Sequence, residues 1–188
     1  MKKIFTILAL SLGAMSVSAE DIKGNSYFIG GNVGVTNSKV NLQSDKLKDL
    51  SLRLGLDVGY IINDEWRTYI GYKFTTKAKD ALRNNVDAKI SDQHQVHFGV
   101  DYTPRFIGST KIVAGVYSGV KFAKVSEGTF SVKTNGYVLG ARTGILAEVT
   151  DNVEAGILVN VDKTWNKKGD FKAQEVDYGT AVVLNYKF

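Results

Sequence analysis

From residue 27 to the end of the chain, apolar side chains return at every second position in eight separate segments. The clearest runs from Leu50 to Tyr60. There Leu50, Leu52, Leu54, Leu56, Val58 and Tyr60 alternate with Ser51, Arg53, Gly55, Asp57 and Gly59. A helix would set Leu50 beside Leu54 and turn Leu52 to the opposite side, whereas a strand places all six on one face. The same period runs through Tyr27 to Val35, Trp66 to Phe74, His94 to Tyr102 and Ile112 to Phe122. It continues through Asn135 to Val149, Val153 to Val161 and Val176 to Phe188. No position on the apolar faces is Lys, Arg, Asp or Glu, in a chain that is 23% charged. The opposite faces carry Arg53, Asp57, Arg67, Lys73, Asp101, Lys121, Arg142, Glu148, Glu154, Asp177 and Lys187. They also hold the strand glycines, apart from Gly31.

Eight amphipathic strands close into either of two barrels. A water-soluble carrier of the lipocalin type keeps its apolar faces inside, and a membrane barrel turns them outward. The polar faces decide between them. Glycine weakens an exposed strand and adds no solubility, but a narrow interior needs small residues beside interlocked charges. Arg53, Arg67 and Arg142 are expected to meet Asp57, Asp101 and Glu148 there. A Lys or Arg turned outward at mid-bilayer costs about 2–4 kcal/mol, which accounts for apolar faces without charge. Backbone groups in lipid must all be paired, so the sheet has to close. The expected fold is an all-β, eight-stranded, antiparallel, up-and-down transmembrane barrel.

The connections alternate short and long. Short links fall at 61–65, 103–111 and 150–152, with Asn63-Asp64 and Asp151-Asn152 as turn residues. Long polar links are expected over about 36–49, 75–93, 123–134 and 162–175. This is the pattern of short periplasmic turns and long external loops. Tyr27, Tyr60, Trp66, Tyr102, Tyr186 and Phe188 gather at the short-turn ends, and Tyr72, Phe74, Phe122, Tyr137 and Tyr178 at the other. They read as two interfacial aromatic girdles.

The N-terminal stretch is an export address. Lys2-Lys3 precede the uncharged run Ile4 to Val17, and Val17-Ser18-Ala19 forms a small-residue cleavage site. The expected division is a signal peptide over 1–19 and a barrel over 20–188. The chain has no Cys, which excludes disulfides, thiolate metal sites and a lipidated N-terminal cysteine.

At its end the chain places Val176, Tyr178, Val182, Leu184, Tyr186 and Phe188 on alternate positions. This looks like the C-terminal signal read by the outer-membrane assembly machinery, with Gly179, Val182, Leu184, Tyr186 and Phe188 as its core. From residue 20 onward the chain resembles the small eight-stranded outer-membrane barrels: the OmpX/Ail group, the OmpA transmembrane domain and the opacity-type proteins. The resemblance implies location in the outer membrane of a Gram-negative cell. It also implies a structural or surface-interaction role, with adhesion through four external loops among the options.

The net charge of +5 is unevenly spread. Positive charge gathers in the expected external loops, at Lys46, Lys48, Lys77, Lys79, Arg83, Lys89, Lys163, Lys167, Lys168 and Lys172. Outer-leaflet lipopolysaccharide is phosphorylated, so Lys77, Lys79, Lys89, Lys163, Lys167 and Lys168 are its candidate contacts, against the plainer reading of a solvated loop. The dispersed charge and the export signal argue against nucleic-acid binding. The expected partners are outer-membrane lipid and lipopolysaccharide, the assembly machinery, and host or surface ligands.

Two further function classes are open to such a chain. A narrow pore is the alternative, although eight strands leave an interior filled by side chains. A lipid-modifying enzyme would need a nucleophile and base at the interface. The only histidines, His94 and His97, lie on opposite faces of one segment, and Val96 stands where a His-x-Ser arrangement would place the serine. No catalytic residue, metal ligand or cofactor is expected.

Overall fold

Alternating side chains commit each segment to the extended backbone, and two-residue spacing sends one set to the core and the other to the exterior. The computed structural model describes residues 25–42, 45–77, 88–127, 130–168 and 171–188. The export segment and the presumed cleavage site lie outside the described residues.

The elements are β1 (Ser26–Leu42), β2 (Asp45–Ile62), β3 (Trp66–Lys77), β4 (Ala88–Tyr102), β5 (Arg105–Ile107), β6 (Thr110–Glu127), β7 (Phe130–Glu148), β8 (Val153–Lys168) and β9 (Phe171–Lys187). Sequential neighbours pair antiparallel except β4 and β5, β1 pairs with β9, and β4 pairs with β6. Eight long strands therefore form a closed ring, with β5 as a side branch on β6. At the seam, Tyr27 and Phe188 exchange two backbone hydrogen bonds of 3.0 Å. Closure matters because an unpaired edge cannot sit in hydrocarbon.

The faces sort as the charge pattern requires. Leu50, Leu52, Leu54 and Leu56 are exposed on the outer wall, while Ser51, Arg53, Gly55 and Asp57 between them are buried in the lumen. Glycines on the lumen face make room for the charges. A Cβ on Gly115 would fall on the Asp101 carboxylate, and one on Gly71 would meet Asp57 and His97.

The tight turns sit at one end of the barrel. Asn63 and Asp64 both have positive φ (52° and 58°), and the Glu65 N–H donates to the Ile62 carbonyl at 3.2 Å. Two left-handed residues in succession match a hairpin turn to the strand twist, and Asn and Asp tolerate that conformation.

Two expectations are corrected. The link at 103–111 is not a plain turn, because it holds β5 and a second tight turn at Gly108, φ 57°. Three of the four long links, at 36–49, 123–134 and 162–175, are mostly paired strand. Leu42 still partners Asp45, Glu127 partners Phe130, and Lys168 partners Phe171. The apolar face ends where the membrane ends, but backbone pairing continues into water. Strand limits drawn from hydropathy therefore stop short.

Candidate functional site: the lumen and the outer belt

The inward positions of eight strands converge on a lumen too narrow to hydrate their charges. Four clusters follow one another along it. At the end with the tight turns, the Glu154 carboxylate receives Arg67 Nη2 at 2.8 Å and Lys111 Nζ at 3.3 Å, with Lys187 Nζ at 3.7 Å. Glu148 beside it takes Lys111 at 2.9 Å, Arg105 at 3.1 Å and Lys187 at 3.2 Å. Arg67 Nε also donates to the Thr103 hydroxyl at 3.3 Å.

Further in, Arg142 bridges two carboxylates. Its Nη1 reaches Asp57 Oδ2 at 2.9 Å, and its Nη2 and Nε reach Asp101 at 2.5 and 2.9 Å. The paired nitrogens match the carboxylate geometry, which a lysine could not do. The third cluster gathers Arg53, Lys73, Asn160, Tyr117 and Asp162. Arg53 and Lys73 lie 3.6 and 3.7 Å from the Asp162 carboxylate. Arg53 donates to Asn160, and the Tyr117 hydroxyl donates to Asp162. Outermost, Lys121 Nζ binds Asp177 at 2.8 Å and Glu175 at 3.0 Å.

Aromatic rings join the second and third clusters. The Arg142 guanidinium lies over Tyr69, and Lys73 Nζ lies 3.8 Å from the Tyr117 ring centroid. His97 fills the space between the two rings, 5.8 Å from Tyr69 and 5.1 Å from Tyr117. Towards the tight-turn end, Val113, Leu146, Leu158 and Val183 form an apolar cluster. A cavity between Phe28, Asp57, Arg142 and Val183 measures about 10 Å³, about the volume one water needs. The interior is a plug of paired charge and of rings that meet edge-on and tilted.

Arg53, Asp57, Arg67, Lys73, Asp101, Lys121, Glu154 and Asp177 are all buried inside, and Arg142 stands at nearly the same depth. Their pairing differs from the expected one. Arg67 meets Glu154 and not Glu148, and Arg53 meets Asp162 rather than Asp57 or Asp101. Strand tilt and stagger decide which residues face one another across a barrel, and no single strand encodes them. Lys111, Asp162 and Glu175 join the network from just beyond the apolar segments. The signal that finds them is continued parity: Asp162 follows Asn160 by two, and Glu175 precedes Asp177 by two.

The outer wall carries two belts. At the tight-turn end, Tyr27 packs on Tyr60 and Trp66 on Tyr102, both at 4.9 Å between centroids. At the hairpin end, Tyr137 lies 6.3 Å from Trp165, and His94 lies 5.2 Å from Phe74. The Tyr72 hydroxyl is 2.6 Å from His94 Nδ1. Two exposed lysines stand over rings of this belt, Lys39 over Tyr178 and Lys163 over Trp165, each 5.1 Å from the centroid. Trp165 and Lys39 fall in the expected external loops at 162–175 and 36–49, and both stand on paired strand. Of the other candidate lipopolysaccharide contacts, Lys79 lies outside the described residues, as do the side chains of Lys77, Lys89, Lys167 and Lys168. In β9, Val182, Leu184 and Tyr186 face outward and Gly179 faces the lumen, and Phe188, just past the strand, is exposed as well.

The chain matches the family described as "Outer membrane protein beta-barrel domain" over residues 5–188. No curated protein sequence matches it. Among solved structures it is similar to Neisserial surface protein A, at 18% identity and TM-score 0.64, covering 88% of this chain and 100% of that one. It is similar to Ail, the attachment invasion locus protein of Yersinia pestis, at 15% identity and TM-score 0.51, covering 89% and 100%. It is also similar to the outer membrane protein OprG of Pseudomonas aeruginosa, at 16% identity and TM-score 0.53, covering 88% and 96%.

Proposed function

The chain belongs to the outer membrane protein β-barrel family, and from that premise we propose that it serves the outer membrane as a plugged structural barrel that engages lipopolysaccharide at its outer belt. The observation that carries this reading is the lumen. Charges of both signs close on one another and on the packed rings of Tyr69, His97 and Tyr117. Function then falls to the exterior. The alternative of a narrow pore has the same plug against it.

Lys39 and Lys163 favour a lipid partner. Each ammonium is held over an aromatic ring at headgroup height, where aromatic side chains anchor and lipopolysaccharide presents phosphate. Adhesion is a second reading, favoured by the paired hairpins that β1–β2, β6–β7 and β8–β9 raise beyond the belt. Catalysis is not part of this proposal, since His94 and His97 face opposite sides of β4. Residues 1–19 are proposed to direct export. The outward row of β9 with Gly179 is proposed to be read by the assembly machinery.

The test is binding of lipopolysaccharide to the folded barrel in detergent. Lys39→Ala combined with Lys163→Ala should weaken it several-fold and reduce its salt dependence. Unchanged binding would refute the lipid reading and turn attention to the hairpins.

A further inference from the structure

We propose that the lipid-facing wall holds a binding groove for one acyl chain of a membrane lipid, floored by Gly31. The groove encloses about 630 Å³ across β1, β2, β3 and β9. Leu54, Leu56, Val182 and Leu184 wall it, and all four are exposed on the outside of the barrel. The hydrocarbon of the bilayer is therefore what lies against it.

The groove follows from one missing side chain. At Gly34, Gly119 and Gly156 a Cβ would overlap a neighbouring backbone oxygen, so packing demands glycine there. At Gly31 a Cβ would find nothing within 4 Å. Glycine weakens a strand interior, and a valine or leucine would fit beside the register partners Leu56 and Leu184. Neither the lumen nor the backbone explains this glycine. The groove does.

Its orientation suits a lipid. Phe74, Leu54, Val33 and Val182 form one register row across four strands, and Tyr72, Leu56, Gly31 and Leu184 form the next. Rows run oblique to the membrane because barrel strands tilt. On β3 the rows begin at the outer aromatic belt, at Tyr72 and Phe74. On β9 they arrive between Tyr178 and Tyr186, in the middle of the wall. The groove thus opens at headgroup height and descends into hydrocarbon. Its mouth carries the polar Tyr72–His94 pair, while its floor and walls are apolar. That order of polarity is the order of a lipid from head to tail.

The test is native mass spectrometry of the folded barrel in detergent micelles containing dimyristoylphosphatidylethanolamine. Wild type should carry one saturable lipid adduct. Gly31→Phe, which fills the groove, should lower its apparent affinity about tenfold. Ala141→Phe, on the outward face of β7 away from the groove, should leave it unchanged. Folding of each variant is checked by its heat-dependent gel migration. The open space at Gly31 allows the substitution to fold. Equal adducts in all three proteins, or none in wild type, would overturn the proposal. So would a dimer in wild type that disappears in Gly31→Phe, because the groove would then seat a second copy of the chain.

Discussion

The guanidinium of Arg142 lies 3.8 Å from the centroid of the Tyr69 ring while its nitrogens hold Asp57 and Asp101. One side chain thus ties β7 to β2, β3 and β4 across the lumen. Removing it strands two carboxylates in a dry interior, where breaking a buried pair costs about 3–5 kcal/mol. Arg142→Ala should lower the urea midpoint of the barrel in vesicles far more than Lys163→Ala, whose ammonium lies exposed over Trp165 on the outer belt. Equal midpoints would contradict the register.

Glu154 is fully buried and holds three cations, Arg67, Lys111 and Lys187. Glu154→Gln keeps the shape, leaves Lys111 and Lys187 with Glu148 alone, and leaves Arg67 without a carboxylate. The expected loss is about 3 kcal/mol. Glu148→Gln should cost less, because the Glu148 side chain is 15% exposed and water reaches it. Denaturant curves of the two variants check the order.

On the outer wall the sign of tolerance reverses. Leu54→Arg places a cation in hydrocarbon and should cost about 2–4 kcal/mol in a bilayer. Asn37→Arg, outward on neighbouring β1 but level with Tyr178 in the outer belt, should cost little. A mild effect at Leu54 would mean that the wall does not face lipid.

Two glycines should answer oppositely to alanine. Gly115→Ala drives a methyl into the Asp101 carboxylate and should destabilise by about 1–3 kcal/mol through overpacking. Gly31→Ala meets open space and should be neutral or stabilising. Matching losses at both sites would contradict the open space at Gly31, and matching gains would mean that strand propensity, and not lumen packing, governs the glycines.

Much of this was legible from parity alone. Leu50 to Leu56 outward and Arg53 with Asp57 inward follow from two-residue spacing and the absence of charge on one face. The inner belt of Tyr27, Tyr60, Trp66 and Tyr102 could be read from strand ends. What could not be read depends on the third dimension. The partnership of Arg67 with Glu154 is fixed by tilt and stagger across the ring, not by either strand. Lys39, Asp162, Trp165 and Glu175 stand where strands leave the apolar zone, so hydropathy assigned them to loops although pairing carries on. β5 is three residues long and exposed, too short for periodicity to register.

Adjacent residues of one strand face hydrocarbon and packed lumen in turn, as Val116 and Tyr117 of β6 do. Val116 is 61% exposed and Tyr117 is 2% exposed. With Trp66 and Trp165 replaced by Phe, a single tryptophan is placed at either position and the barrel is folded into vesicles of brominated phospholipid. Fluorescence at Val116→Trp should be strongly quenched by the brominated chains, and at Tyr117→Trp it should not. Quenching reversed between the two, or equal, would contradict the account and place the apolar faces inside the barrel.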